Sequence, residues 1–235
     1  MPQEGRRLSG WTVAAVSTSS SGRRHIPLCG KREGCTRDIG HSDDHMNRNF
    51  ESAVFLDRDG TITRLAGYMT RSGLLEIIPG AAESLVRLAH AGFRCILVTN
   101  QSAIGRGLMT VHMLREIHAK LQRLLEAGGA RLDAIYDCPV APGTDAETIV
   151  DHPDRKPGPG MLLKAATDLR IDLSRSWMVG DRLSGVLAGV NAGCRSIRVQ
   201  TGYQYQDPVP NISCDYVTLD SVREAAEYIL TESES

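Results

Sequence analysis

Two carboxylates one residue apart, Asp57 and Asp59, follow the apolar run Ala53–Leu56 and lead straight into Gly60 and Thr61. A carboxylate can attack phosphorus as a covalent nucleophile. A second carboxylate on a turning chain can reach the leaving oxygen, give it a proton and later take one from water. These residue types at this spacing therefore suggest phosphoryl transfer through an aspartyl-phosphate, with Asp57 as nucleophile and Asp59 as acid and base. Two acids so close repel one another and a phosphate dianion, so the chemistry demands a cation. Asp181, in Val179-Gly180-Asp181, would complete a Mg²⁺ site with Asp57 and a backbone carbonyl. Thr99 would hydrogen-bond phosphate oxygens and Lys156 would neutralise the charge building on them. Gly60 would let the backbone approach the phosphate.

Each signal alone is weak, because strands often end in Asp or Asn as a turn or helix cap. Their strength lies in the elements that must position them. Periodicity predicts strands over 53–56, 93–100, 132–139, 176–181, 196–202 and 215–220. Helices are expected over 80–91, 111–127, 160–169, 184–192 and 221–231, several stopped by glycine. This alternation predicts a doubly wound α/β fold: a mainly parallel sheet, helices on both faces, and only small covering loops. In such sheets ligands collect outside the carboxyl ends of strands, where Asp57, Thr99 and Asp181 stand.

The composition fits a soluble globular chain of 235 residues, 41% hydrophobic and 23% charged, with a formal net charge of −1. That balance gives no reason to expect nucleic acid or an acidic membrane as a partner. No apolar run reaches the roughly 20 residues that cross a bilayer, and no signal peptide is evident. The six cysteines are scattered without a disulfide framework, so reduced thiols in the cytoplasm are expected. Residues 1–45, rich in Ser, Gly, Arg and His, are expected to be a disordered extension. Cys29, Cys35, His25 and His41 within it match no zinc spacing. A single domain is expected over 46–235, acting as a monomer on a small molecule.

From Ala53 to Gly202 the chain resembles the haloacid dehalogenase-like phosphatases, through "DRDGT", "VTNQS", "RKP" and "VGD". Within them it is similar to the branch of heptose 1,7-bisphosphate 7-phosphatases and histidinol-phosphate phosphatases. "GY" at 67–68 and "GRG" at 105–107 tilt the resemblance toward the heptose enzymes. It implies a Mg²⁺-dependent hydrolase for a small sugar phosphate, serving carbohydrate metabolism and lipopolysaccharide supply. Asp57, Asp59 through its backbone carbonyl, and Asp181 would hold the metal. Gly67, Tyr68, Asn100, Gln101, Ser102, Arg155 and Arg182 would read the sugar or its other phosphate. The alternatives are a phosphatase for histidinol phosphate or another small ester, and a catalytically silent phosphate-binding or regulatory protein.

Two departures from the family's pattern motivate that last alternative. The family usually builds a structural zinc site from one His and three Cys, whereas here the segments read Cys138-Pro139-Val140 and His152-Pro153-Asp154. Valine cannot ligate, and a structural zinc needs four ligands. The loop is expected to be zinc-free, with a rebuilt site from Cys138, His152 and Asp154, helped by Asp145, Asp151 or water, as the alternative. In the second departure, Gly185 stands where relatives carry an acid. Elsewhere, Cys95 and Cys194 are expected as packed thiols and Trp177 as core. His112 and His118 are expected at the surface, and Arg115, Lys120 and Arg123 on a solvated helix face.

Overall fold

The computed structural model describes residues 50–143, 149–202 and 214–233. The expected extension, with its cysteines and histidines, lies outside the described residues. Among the described residues, six strands form one wholly parallel sheet in the order β3-β2-β1-β4-β5-β6. They are β1 (Ala53–Leu56), β2 (Arg94–Asn100), β3 (Ala134–Cys138), β4 (Trp177–Gly180), β5 (Arg195–Val199) and β6 (Val217–Leu219). The helices are α1 (Ala81–His90), α2 (Ser102–Gly105), α3 (Val111–Ala127), α4 (Gly160–Leu169), α5 (Leu183–Ala192) and α6 (Val222–Ser233).

Because strand side chains alternate faces, β1 feeds two cores. Val54 and Leu56 join Leu85, Leu114, Ile117 and Ile229 from α1, α3 and α6. Ala53 and Phe55 join Met161, Leu162 and Ala188 from α4 and α5. Burial on both faces is why the strands read as continuous apolar runs. The long helix α3 shows how sequence sets an element. The Thr110 side chain accepts from Met113 N at its start, and Leu114, Ile117, Leu121 and Leu125 share its buried face. Gly128 then caps its end.

The chain winds outward from β1 through β2 to β3, then returns to place β4 on the other flank of β1. This reversal opens a crevice at the carboxyl ends of β1 and β4, the usual place for a ligand in such sheets. Between β1 and α1 the chain makes a small flap. Thr63 bridges to Asp59 and to Ile77, while Ile62, Met69, Leu75 and Ile78 bury its inner side. The short helix α2 carries no periodicity over its four residues, so pattern reading leaves it as loop. Among the described residues no helix is long and apolar enough to cross a membrane.

Candidate active site

Asp57 follows β1 directly, and its amide donates to Val179 O (2.9 Å), extending the pairing with β4 by one residue. The carboxylate is nearly buried, at 8% exposure. Asp57 Oδ1 accepts from Arg58 N (2.8 Å), and Oδ2 lies 2.5 Å from Lys156 Nζ. Lys156 comes from a loop but is held as firmly as a strand residue. Its ammonium also donates to Val98 O (3.0 Å), and the Asn100 amide clamps its backbone from both sides. The buried cation thus meets the expected nucleophile without freedom to swing away.

Asp181 follows β4 and is fully buried. Gly60, at φ +78°, brings its backbone so close that a Cβ there would fall 2.5 Å from Asp181 Oδ2. A Cβ on Gly202 would come closer still. The Asp181 carboxylate is thus one group whose close packing requires the bare Gly60 backbone. Thr201 Oγ1 donates to Gly60 O (2.6 Å) and fixes this approach. Two side-chain-free positions cradling a carboxylate, with only oxygen donors in the expected set, fit a small hard cation such as Mg²⁺. Among the described residues no three His, Cys, Asp or Glu side chains converge as a ligand set. The expected magnesium set is of another kind, two carboxylates and a carbonyl.

Asp59 is approached from behind by Arg58, which sequence reasoning passed over. Arg58 is fully buried; its Nε donates to Asp59 Oδ1 (3.1 Å) and its Nη2 to Asp59 Oδ2 (2.7 Å). Nη2 also donates to Gln101 Oε1 (3.0 Å), whose amide nitrogen donates in turn to Thr99 Oγ1 (2.8 Å). The one available signal was a basic residue between two acids at a strand end. His118, expected at the surface, packs inward with Nε2 3.5 Å from Arg58 Nη1. Burial, aided by the Arg58 charge and opposed by Asp59, holds its imidazole down to about 4. His112 is exposed as expected.

A cavity of about 460 Å³ opens over these groups. Asp57, Asp59, Thr99 and Lys156 line it, as do Gly67, Tyr68, Asn100, Gln101, Ser102, Arg155 and Arg182. Asp181 lies beneath, buried and outside the lining. Arg106 and Ile149 are lining residues that sequence reasoning missed, although Arg106 sits in the quoted "GRG". Asn100 and Gln101, expected to read the sugar, turn their amides into the protein, to Lys156 and to Arg58 and Thr99.

Among the described residues after β3, Cys138, His152 and Asp154 do not come together as a metal-ligand group. Cys138 is buried, and burial pushes its thiol up. His152 Nδ1 accepts instead from Asp154 N (3.1 Å). Asp145 lies outside the described residues. The loop is tied by Asp151, which accepts from Gly143 N (2.7 Å) and faces Arg155 Nε at 4.0 Å. Arg155 Nη1 in turn donates to Val140 O (3.1 Å), at the very residue that cannot ligate. At Gly185 a Cβ would meet only Met178 Cε (3.4 Å) and Gly180 Cα (3.7 Å).

Cys95 and Cys194 are buried, their thiols pushed up to about 12 by desolvation. Trp177 is core, edge-on to Tyr228, with Arg195 stacked over its ring. Arg115 and Arg123 are exposed. Lys120 departs from its expected solvated face, because its ammonium ties α3 to the flap through Ser72 O (2.7 Å).

The chain is similar to proteins of known family. Residues 154–225 match the HAD-hydrolase-like family model. The D-glycero-D-manno-heptose-1,7-bisphosphate 7-phosphatase of Thermosynechococcus vestitus is 44% identical over 156 residues, spanning 64% of this chain and 80% of that protein. The D-glycero-beta-D-manno-heptose-1,7-bisphosphate 7-phosphatase of Escherichia coli K12 is 40% identical over 153 residues, spanning 64% and 80%. The crystal structure of D,D-heptose 1,7-bisphosphate phosphatase from B. bronchiseptica, complexed with magnesium and phosphate, superposes with a TM-score of 0.67. It is 31% identical, and the match covers 77% of this chain and 99% of that one.

Proposed function

The chain belongs to the haloacid dehalogenase-like phosphatases, and from that premise we propose that it cleaves the 7-phosphate from D-glycero-D-manno-heptose 1,7-bisphosphate. Asp57 Oδ forms a bond to phosphorus as the bond to the sugar oxygen breaks, and Asp59 gives that oxygen its proton. Asp59 then takes a proton from water, whose oxygen attacks phosphorus and breaks the bond to Asp57. Thr99 Oγ1 accepts from Gln101, so its own O–H is left to donate to a phosphoryl oxygen. Lys156 offsets the phosphoryl charge from within hydrogen-bond distance of the nucleophile. Asp57, Asp181 and the Asp59 carbonyl would hold Mg²⁺, which would supply charge to offset the phosphoryl group and screen the carboxylates from it.

The observation that carries this reading is the nucleophile at the reversal of the sheet, paired with Lys156 and one residue from Asp59, at the floor of one cavity. A cavity of about 460 Å³ suits a small phosphorylated sugar. Arg106, Arg155 and Arg182 around it give a second phosphate cationic partners. A zinc-free loop, a monomer, a site of action in the cytoplasm and a supply role in heptose glycans belong to the same proposal, as does a domain beginning near residue 46.

The experiment is phosphate release by purified protein, with and without Mg²⁺. The panel comprises both anomers of the heptose bisphosphate, histidinol phosphate and common sugar phosphates, with Asp57→Asn as control. Preferred Mg²⁺-dependent turnover of one heptose anomer supports the proposal. Preference for histidinol phosphate replaces the substrate, and binding without turnover indicates the silent alternative.

A further inference from the structure

Arg58 is fully buried and takes no part in lining the cavity. An arginine in a phosphatase site ordinarily meets phosphate, and this one cannot. Its planar fork is spent on protein: Nε and Nη2 grip both Asp59 oxygens, Nη2 also meets Gln101 Oε1, and Nη1 faces His118. Gln101 Nε2 reaches back to Asp59 Oδ2 (3.4 Å) and to Thr99 Oγ1 (2.8 Å). The Asp59 side chain is a quarter exposed, so without this grip it could turn among its rotamers.

We propose that Arg58 is a positioning residue for proton transfer. It holds the Asp59 carboxylate at one orientation and, through Gln101, ties it to the Thr99 hydroxyl that meets the phosphoryl group. The donor of the proton and the holder of the phosphoryl oxygen are thereby set by one buried framework. This rests on the reading of Asp59 as acid and base given above. The grip needs two parallel N–H bonds at fixed spacing, which a guanidinium supplies and a lysine ammonium does not. His118 backs the arrangement, because an imidazole kept neutral by burial can accept from Nη1 where a charged one would repel it.

A positioning role is separable from a structural one through the leaving group. An alkoxide needs the proton of Asp59, whereas 4-nitrophenolate departs without one. Arg58→Lys and Arg58→Met are assayed with the fastest alkyl phosphate of the panel above and, by rapid mixing, with 4-nitrophenyl phosphate. The expected result is an alkyl kcat lowered by about 10²-fold, the low end for general acid–base catalysis, with KM changed little. The first-turnover burst of nitrophenolate should keep a near wild-type rate and be followed by slowed steady release. Arg58→Lys keeps the buried charge and decides the question should Arg58→Met not fold. Equal losses in burst and alkyl turnover, or no loss in either, overturn the proposal. Asp59→Asn separates the two readings. If it lacks the split, the acid–base assignment fails; if it shows the split and the Arg58 variants do not, positioning by Arg58 fails.

Discussion

Lys156 Nζ sits 2.5 Å from Asp57 Oδ2 while also donating to Val98 O on β2, the strand beside β1. The pair is nearly dry, with side-chain exposures of 2% for the lysine and 12% for the aspartate. A loop cation is thus anchored to the sheet at the point where the expected nucleophile emerges. Lys156→Met should lower phosphate release by about 10²–10³, as loss of an electrostatic donor does elsewhere. Leaving Asp57 without its partner should also cost about 3 kcal/mol of stability. Urea unfolding alongside the assay separates the two effects, and an unchanged rate would remove Lys156 from the chemistry.

Gly60→Ala should damage the metal site before it damages the fold. The new methyl must push on the Asp181 carboxylate, and the positive φ adds strain of about 1 kcal/mol or more. Mg²⁺ binding followed by calorimetry should weaken at least tenfold. Unaltered affinity would show that Asp181 is not a ligand.

Gly185→Asp tests the second departure from the family. A Cβ at Gly185 would make only ordinary contacts, and another acid there would add an oxygen ligand or hold metal-bound water. The half-saturating Mg²⁺ concentration should fall several-fold, with the maximal rate little changed. A protein that gains its first activity from this substitution would support the silent reading of the native chain.

Acid should destabilise the fold through His118. Its folded pKa, about 4, lies below the ordinary value of 6.5. Between these values the unfolded chain binds a proton that the folded one excludes, so stability falls as pH drops through that window and levels off below it. From pH 7 to pH 4.5 the loss amounts to about 2–3 kcal/mol. Urea midpoints at pH 7 and pH 4.5 should converge in His118→Gln relative to wild type, and an identical slope in both proteins would contradict the prediction.

Removing metal should separate two roles. A zinc-selective chelator should leave the thermal midpoint unchanged, because Asp151 and Arg155 tie the loop without metal. EDTA should abolish turnover, and Mg²⁺ should restore it. Asp151→Ala should raise KM a few-fold, since Arg155 and Asp151 both line the cavity. A midpoint lowered by the zinc chelator would revive the zinc alternative.

Local patterns suffice wherever the physics is local. Apolar runs, helical periods and glycine stops determine the elements, and a parallel sheet sends its strand ends to one edge. Asp57, Thr99 and Asp181 could therefore be placed together from the chain alone, with Lys156 joining them from its motif. What the sequence could not reach was which long-range partner each polar group would choose. Arg58 looked like a spacer between two acids, yet it is buried and grips one of them. His118 lies on a helix face that reads as solvated, but that face meets the buried Arg58. Asn100 and Gln101 stand at a ligand-facing strand end and spend their amides on protein. Gly60 serves a carboxylate contributed from β4, far along the chain. Cys138, His152 and Asp154 are close in sequence and do not converge. Side-chain orientation and burial depend on the packing of segments distant in the chain, and only the tertiary structure decides them.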